Sequence, residues 1–187
     1  MLHFTKLPPA ALAECGTGAP EAKTAKTTRP VVSAPKKSGR SRTRSLPPRV
    51  EVRQSAVHGR GVYALTRIPQ GKRIIEYKGQ LVPWEKASPQ ADGPHTFLFG
   101  LTNGKDVIDP EIGGNEACWI NHSCAPNCEA IEEGRRVFIY ALRLLQTGQE
   151  LFYDYGLEVD EPRTKKLERE YECRCGSPRC RGTLLGG

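Results

Sequence analysis

Three cysteines near the C-terminus, in the pattern Cys173-x-Cys175-x4-Cys180, constrain this chain more than any other feature. Three thiolates fall one ligand short of the closed tetrahedral shell that structural zinc takes. A donor remote in sequence has to complete the shell. The segment Asn121-His122-Ser123-Cys124-Ala125-Pro126-Asn127-Cys128 is the best source. A metal would then tie the C-terminal tail to a polar loop in mid-chain, and spacing leaves open whether Cys124 or Cys128 reaches it. Seven cysteines make an odd set, and the tight Cys-x-Cys spacing suits metal thiolates better than a secreted disulfide framework. A reducing, intracellular compartment is therefore expected.

The 187 residues fit one domain plus a tail. The net charge of +7 is unevenly spread: residues 1–48 hold nine Lys or Arg against Glu14 and Glu21, and the rest balances. That tail also holds seven of the fifteen prolines and few large apolar residues, so burial cannot offset its ordering entropy. A disordered basic tail over 1–48 follows, either a solvated linker or an arm contacting an anionic partner such as nucleic acid. No apolar run approaches the roughly 18 residues of a membrane span, so no membrane association is expected.

From Val50 onward, short runs of β-branched and aromatic residues alternate with Gly, Pro and Asp turns, which predicts a mostly β fold of several small sheets. Strands are expected near 50–55, 61–65, 73–82, 96–101, 105–108, 135–142 and 150–155. Glu133-Gly134 marks a hairpin turn. Helical signals are confined to 115–119 and the charged stretch 164–171.

Four features stand apart from ordinary sheet sequence. His58-Gly59-Arg60-Gly61 enters a strand with glycines that let backbone groups approach a ligand, although a Gly-x-Gly is more often a tight turn. Tyr77-Lys78-Gly79 ends an apolar strand. Asn121-His122 lies between Trp119-Ile120 and the cysteines, where half-buried polar groups need partners. A nucleophilic Cys-His pair is conceivable there, but no third orienting residue is evident. Finally, in Glu150-Leu151-Phe152-Tyr153-Asp154-Tyr155-Gly156 the tyrosines at i and i+2 fall on one face of a strand.

In this order, Gly-x-Gly, Tyr-x-Gly, Asn-His-Ser-Cys-x-Pro-Asn, Glu-Leu-x-Tyr-Asp-Tyr and Cys-x-Cys-x4-Cys, the motifs resemble the SET domain of protein-lysine methyltransferases followed by its post-SET zinc segment. The resemblance implies a SET domain over 49–160 and a post-SET segment over 161–187, with a C-terminal pseudoknot under the Asn121-His122 loop. It implies S-adenosyl-L-methionine bound by His58, Gly59, Arg60, Gly61, Asn121 and His122, with Phe97 nearby. Tyr77, Tyr153 and Tyr155 would line a channel for a lysine of a histone or another basic protein, with Tyr155 the foremost catalytic group. Tyr153, two before it, implies a bias to monomethylation. Zinc would be held by Cys124, Cys173, Cys175 and Cys180.

Departures from the family pattern are Cys118, where arginine is usual, and Phe97, where tyrosine is common. No cysteine cluster precedes the domain, so no pre-SET module is expected. Residues 83–94 leave only a short insert where relatives shape their peptide groove. A zinc-stapled chromatin or nucleic-acid binding module without catalysis is the competing expectation.

Overall fold

The computed structural model describes residues 49–87, 97–158 and 162–186. The basic tail over 1–48 and most of the short insert after Pro83 lie outside the described residues. Among the described residues, ten short strands form four small sheets, with 3-10 turns at Trp84–Lys86 and Glu116–Trp119 and one α-helix. The mostly β reading of the sequence therefore holds.

Strands β1 (Val50–Gln54) and β2 (Arg60–Ala64) form a hairpin whose register runs from Val50↔Ala64 to Gln54↔Arg60. Its turn is closed by Ser55 N–H donating to the Gly59 carbonyl at 2.8 Å, with Gly59 left-handed at φ 45°. Tyr77 ends β3 (Arg73–Tyr77), which pairs with β9 (Arg136–Ala141), and β9 in turn pairs with β8 (Cys128–Glu133). The third sheet has the order β4 (Gln80–Pro83), β6 (Asp106–Asp109), β5 (Phe99–Gly100).

Several strand expectations are corrected by the structure, and the one over 96–101 shrinks to Phe99–Gly100. The single strand over 73–82 is two strands in different sheets, because Gly79 packs so closely that a Cβ would collide with the Asp109 carbonyl. The backbone needs that glycine to change direction. Strand β8 is absent from the sequence expectations, since Glu129, Glu132 and Glu133 lower its strand propensity; pairing along the whole of β9 overrides that preference. Its hairpin with β9 closes through Gly134-Arg135, both at positive φ (57° and 66°), the pattern of a type I′ turn. Arg135 bears that conformation with its guanidinium 2.9 Å from Asp106.

Val62, Ile68, Phe99, Leu101, Ile120, Val137, Ile139, Leu145 and Leu151 are nearly inaccessible and weld the sheets together. Each such side chain is worth about 1.5–3 kcal/mol on burial. The C-terminal segment joins this core through Leu167, Tyr171 and Leu185. Helix α1 (Lys165–Glu170) starts at Thr164, whose hydroxyl accepts from Leu167 N–H at 3.2 Å. No helix among the described residues is long and apolar enough to cross a membrane.

Strands β7 (Asn121–His122) and β10 (Phe152–Tyr153) draw two of the polar motifs together, because this two-residue parallel pair joins segments about thirty residues apart. Only those two residues of the strand expected over 150–155 pair in a ladder. Beyond them the Tyr155 N–H turns to an imidazole instead.

Candidate active site

The loop between β7 and β8 is fixed by a buried amide. Asn127 is 1% exposed. Its Nδ2 donates to the Glu150 carbonyl and its Oδ1 accepts from Phe152 N–H, both at 2.7 Å, so neither end of the amide is left unsatisfied. Ser123 N–H donates to the Tyr153 carbonyl at 3.2 Å. These bonds hold the Asn121–Cys128 loop against the Glu150–Tyr155 segment.

Asn121 does the same on the other side. Its Nδ2 faces the carbonyls of Arg60 (2.9 Å) and His58 (3.3 Å) and the Glu150 carboxylate (3.0 Å), drawing the Gly-x-Gly turn onto the loop. Glu150 also accepts from the Tyr63 hydroxyl at 2.8 Å. A wall of oxygen acceptors results, and beside it Arg60 stacks on Trp119 at 4.8 Å, with Phe97 edge-on to the same indole. The Arg60 cation already covers that indole, so what fits the sulfonium cofactor that the resemblance implies is the oxygen-rich edge of the turn, two carbonyls and a carboxylate that attract positive charge. Gly61 leaves room there for the Glu150 carboxylate, which a Cβ would displace from its bonds to Asn121 and Tyr63. Gly61→Ala is expected to cost about 1–3 kcal/mol through that overpacking. An unchanged thermal unfolding midpoint would mean that the carboxylate swings clear freely.

A train of rings runs from the core to the loop: Tyr77 to Phe99 at 5.1 Å, Phe99 to Tyr153 at 6.3 Å, Tyr153 to Tyr155 at 4.9 Å, and Tyr155 to His122 at 5.3 Å. The Tyr77 hydroxyl donates to the Phe97 carbonyl, and that of Tyr155 to the Ile120 carbonyl at 2.8 Å. Burial pushes both the Tyr153 and Tyr155 phenols well up, so each stays protonated at neutral pH. They can orient a partner but not act as phenolate bases. Tyr155 also lies on the lining of an open cleft of about 600 Å³, together with Ala130, Glu132, Asp154 and Glu158.

His122 connects this train to sulfur. Tyr155 N–H can only donate, so His122 Nδ1 at 3.1 Å is the acceptor and the ring proton resides on Nε2, which stands 3.3 Å from Cys124 Sγ. Burial lowers the imidazole to about 4, against the opposing pull of Asp154 and aided by Arg181, which keeps the ring neutral.

The sulfur atoms of Cys124, Cys173, Cys175 and Cys180 lie within 4.8 Å of one another, with Cys124 3.7 Å from Cys173 and 3.9 Å from Cys180. Tetrahedral Zn–S bonds of about 2.3 Å require sulfurs about 3.8 Å apart, so the cluster fits zinc. Backbone N–H groups of Arg181 and Gly182 point at Cys124 and Cys180 sulfurs, at 3.5 and 3.4 Å. Such donors favour thiolates. Cys128 takes no part: it begins β8, 1% exposed, and burial raises its thiol to about 12. Cys118 is likewise buried.

Every sequence-derived site residue thus falls in one of two adjoining groups, the turn–loop–tyrosine set and the thiol set, linked by His122. Residues that sequence reasoning passes over are those that hold the others. Glu150 and Asp154 belong to one motif, and Asn127 to another, but spacing alone does not reveal which motif members carry bonds. Asn115 clamps the end of β3, donating to the Glu76 carbonyl at 2.9 Å and accepting from Lys78 N–H at 3.2 Å, and no sequence signal marks it.

A family model described as "SET domain" matches residues 59–156. Among curated proteins, histone-lysine N-methyltransferase 2B of Homo sapiens is 36% identical over 144 residues, covering 72% of this chain and 5% of that protein. The H3 lysine-4 specific histone-lysine N-methyltransferase of Saccharomyces cerevisiae is 39% identical over 141 residues, 70% of this chain and 13% of its own length. Histone-lysine N-methyltransferase set-2 of Caenorhabditis elegans is 34% identical over 145 residues, 72% and 9%. The chain therefore spans only a small part of the length of these relatives.

Proposed function

The chain belongs to the SET domain family, and from that premise we propose that it is a protein-lysine N-methyltransferase using S-adenosyl-L-methionine. The observation that supports the reading is that β7 carries both groups side by side: Asn121 holds the Gly-x-Gly turn, and its neighbour His122 holds Tyr155, the last of the ring series from Tyr77. In this reading the target lysine reaches Tyr155 from the open cleft that Tyr155 lines, with Tyr153 packed behind it. The domain proper is assigned to 49–160 and the post-SET segment to 161–187.

Bound by the His58–Gly61 turn, Asn121, His122 and the Phe97 neighbourhood, the cofactor would supply a methyl group activated by its sulfonium. The chain's own residues do the positioning, and in an in-line displacement positioning supplies much of the rate. A free lysine ammonium has a reference pKa of about 10.4 and does not attack. Loss of hydration and the neighbouring sulfonium charge disfavour the ammonium form, so the proton is lost to water before the amine is seated, and no side-chain base is required. The Tyr155 hydroxyl, fixed on the Ile120 carbonyl, orients the neutral amine. Cys124, Cys173, Cys175 and Cys180 would hold zinc and fold the tail over the site.

The cleft beside Tyr155 carries Glu132 and Glu158, besides Asp154 that Arg181 pairs, and no Lys or Arg among its described lining residues, which suits a basic protein segment such as a histone tail. A chromatin location follows from that substrate class, and the +7 charge suits the same anionic surroundings. Tyr153, 6% exposed against Tyr155, limits the space around the nitrogen, so we assign a bias to monomethylation. Tyr153→Phe is expected to shift the product from mono- toward di- and trimethyl-lysine by mass spectrometry. An unchanged product distribution would rule that role out.

The function itself is tested with methyl-labelled cofactor and a mixture of core histones and other basic proteins. Label on a lysine supports the enzyme. Cofactor binding by calorimetry with no label in any protein would leave instead a zinc-stapled binding module, the reading that buried Cys118 in place of arginine favours.

A further inference from the structure

Two ties join the thiol cluster to the backbone that carries Tyr155. One is His122, between Cys124 Sγ and the Tyr155 N–H. The other is a side chain that follows a cluster cysteine directly. Arg181 comes straight after Cys180, and its own N–H points at Cys124 Sγ. Its guanidinium grips Asp154 through both terminal nitrogens, at 2.5 and 2.6 Å, while its Nε donates to the Leu185 carbonyl at 3.0 Å. Asp154 Oδ1 accepts in addition from Gly156 N–H at 3.0 Å. The carboxylate therefore spans the turn, left-handed at Gly156 with φ 55°, that sets the direction of Tyr155.

A two-pronged Arg–carboxylate pair fixes distance and plane together, which a point-charged lysine cannot do. Arg181 and Asp154 side chains are 29% and 38% exposed, so the pair's net stability is small by the standard of partly exposed ion pairs. What distinguishes it is what it connects. We infer that Arg181 is a positioning residue: through Asp154 it transmits the placement of the metal-binding tail to the turn that presents the Tyr155 hydroxyl. The kinetic part of this inference rests on the methyltransferase reading; the metal-binding part does not.

The test uses the full, metal-loaded chain and four variants. Arg181→Lys keeps the charge and loses the fork, Asp154→Asn keeps the shape and loses the charge, and the third combines them. Arg163→Ala is the control: Arg163 donates to the Gly186 carbonyl at 3.0 Å, so its loss loosens the same C-terminal strap without touching Asp154. Expected is a fall in kcat of about tenfold or more for each of the first two and no further fall for the double variant, as residues of one network behave. Cofactor Kd should stay at the parent value, and Arg163→Ala should keep the parent kcat. Coupling is reciprocal, so Asp154→Asn, although no ligand, should weaken zinc retention against a chromophoric chelator by about 10–100-fold.

Additive losses in the double variant, an equal loss of kcat in Arg163→Ala, or zinc retention in Asp154→Asn within about twofold of the parent would overturn the inference. If the parent chain transfers no methyl group, the methyltransferase reading falls. The chelator competition still decides whether the tie exists.

Discussion

Tyr155→Phe is expected to bind S-adenosyl-L-methionine with parent affinity and to lose most of its turnover, on the order of 100-fold or more, the effect of deleting one preorganised polar group beside a reacting centre. The change removes one oxygen and nothing else. Packing against Tyr153 and His122 survives it, as does the N–H bond to His122 Nδ1, because none of these uses the hydroxyl. What disappears is the bond to the Ile120 carbonyl and the oxygen proposed to orient the amine. Calorimetry and single-turnover methyl transfer on the same preparation separate the two effects. Turnover within a few-fold of the parent would take Tyr155 out of the mechanism. Since burial keeps this phenol protonated, the rate should show no limb from its ionisation across neutral pH.

Removal of the metal should have an effect of similar size by a different route. Apparent zinc-binding free energies in small structural sites reach about 10–16 kcal/mol, as large as the roughly 5–15 kcal/mol that holds an ordinary domain folded. Four sulfurs from two remote segments share that site here. Burial pushes the Cys124 and Cys173 thiols up, so their thiolates need a cation's field to persist. Chelation is expected to abolish methyl transfer and to expose the amides of residues 162–186 to hydrogen exchange, including those around buried Leu167, Tyr171 and Leu185. Zinc should restore both. Full activity and unchanged protection in metal-free protein would show that apolar packing alone secures the tail.

The sequence carries some of this architecture clearly and some of it not at all. Helix α1 is legible because its charged stretch is a local signal, to which the structure adds the Thr164 cap. The hairpin at Gly134 is legible through its turn chemistry. Strand β8 is hidden, since three glutamates mask a segment whose ordering comes from its partner. The break at Lys78-Gly79 is hidden too, because the collision that demands glycine there is with Asp109, remote in the chain.

For the site, the chain itself determined the chemical inventory: three cysteines spaced for a metal, paired tyrosines, a Gly-x-Gly turn and a polar Asn-His loop, in an order that resembles one family. Those are properties of residue type and short spacing, which the local backbone preserves. Tertiary structure alone decided the pairings between distant segments. It brought Cys124 to the other sulfurs while β8 carried Cys128 into the core, set Asn127 across Glu150 and Phe152, and closed Arg181 on Asp154. Bonds of that kind depend on which sheet edges meet in space, and meeting is a consequence of burying the shared core, not of any local pattern.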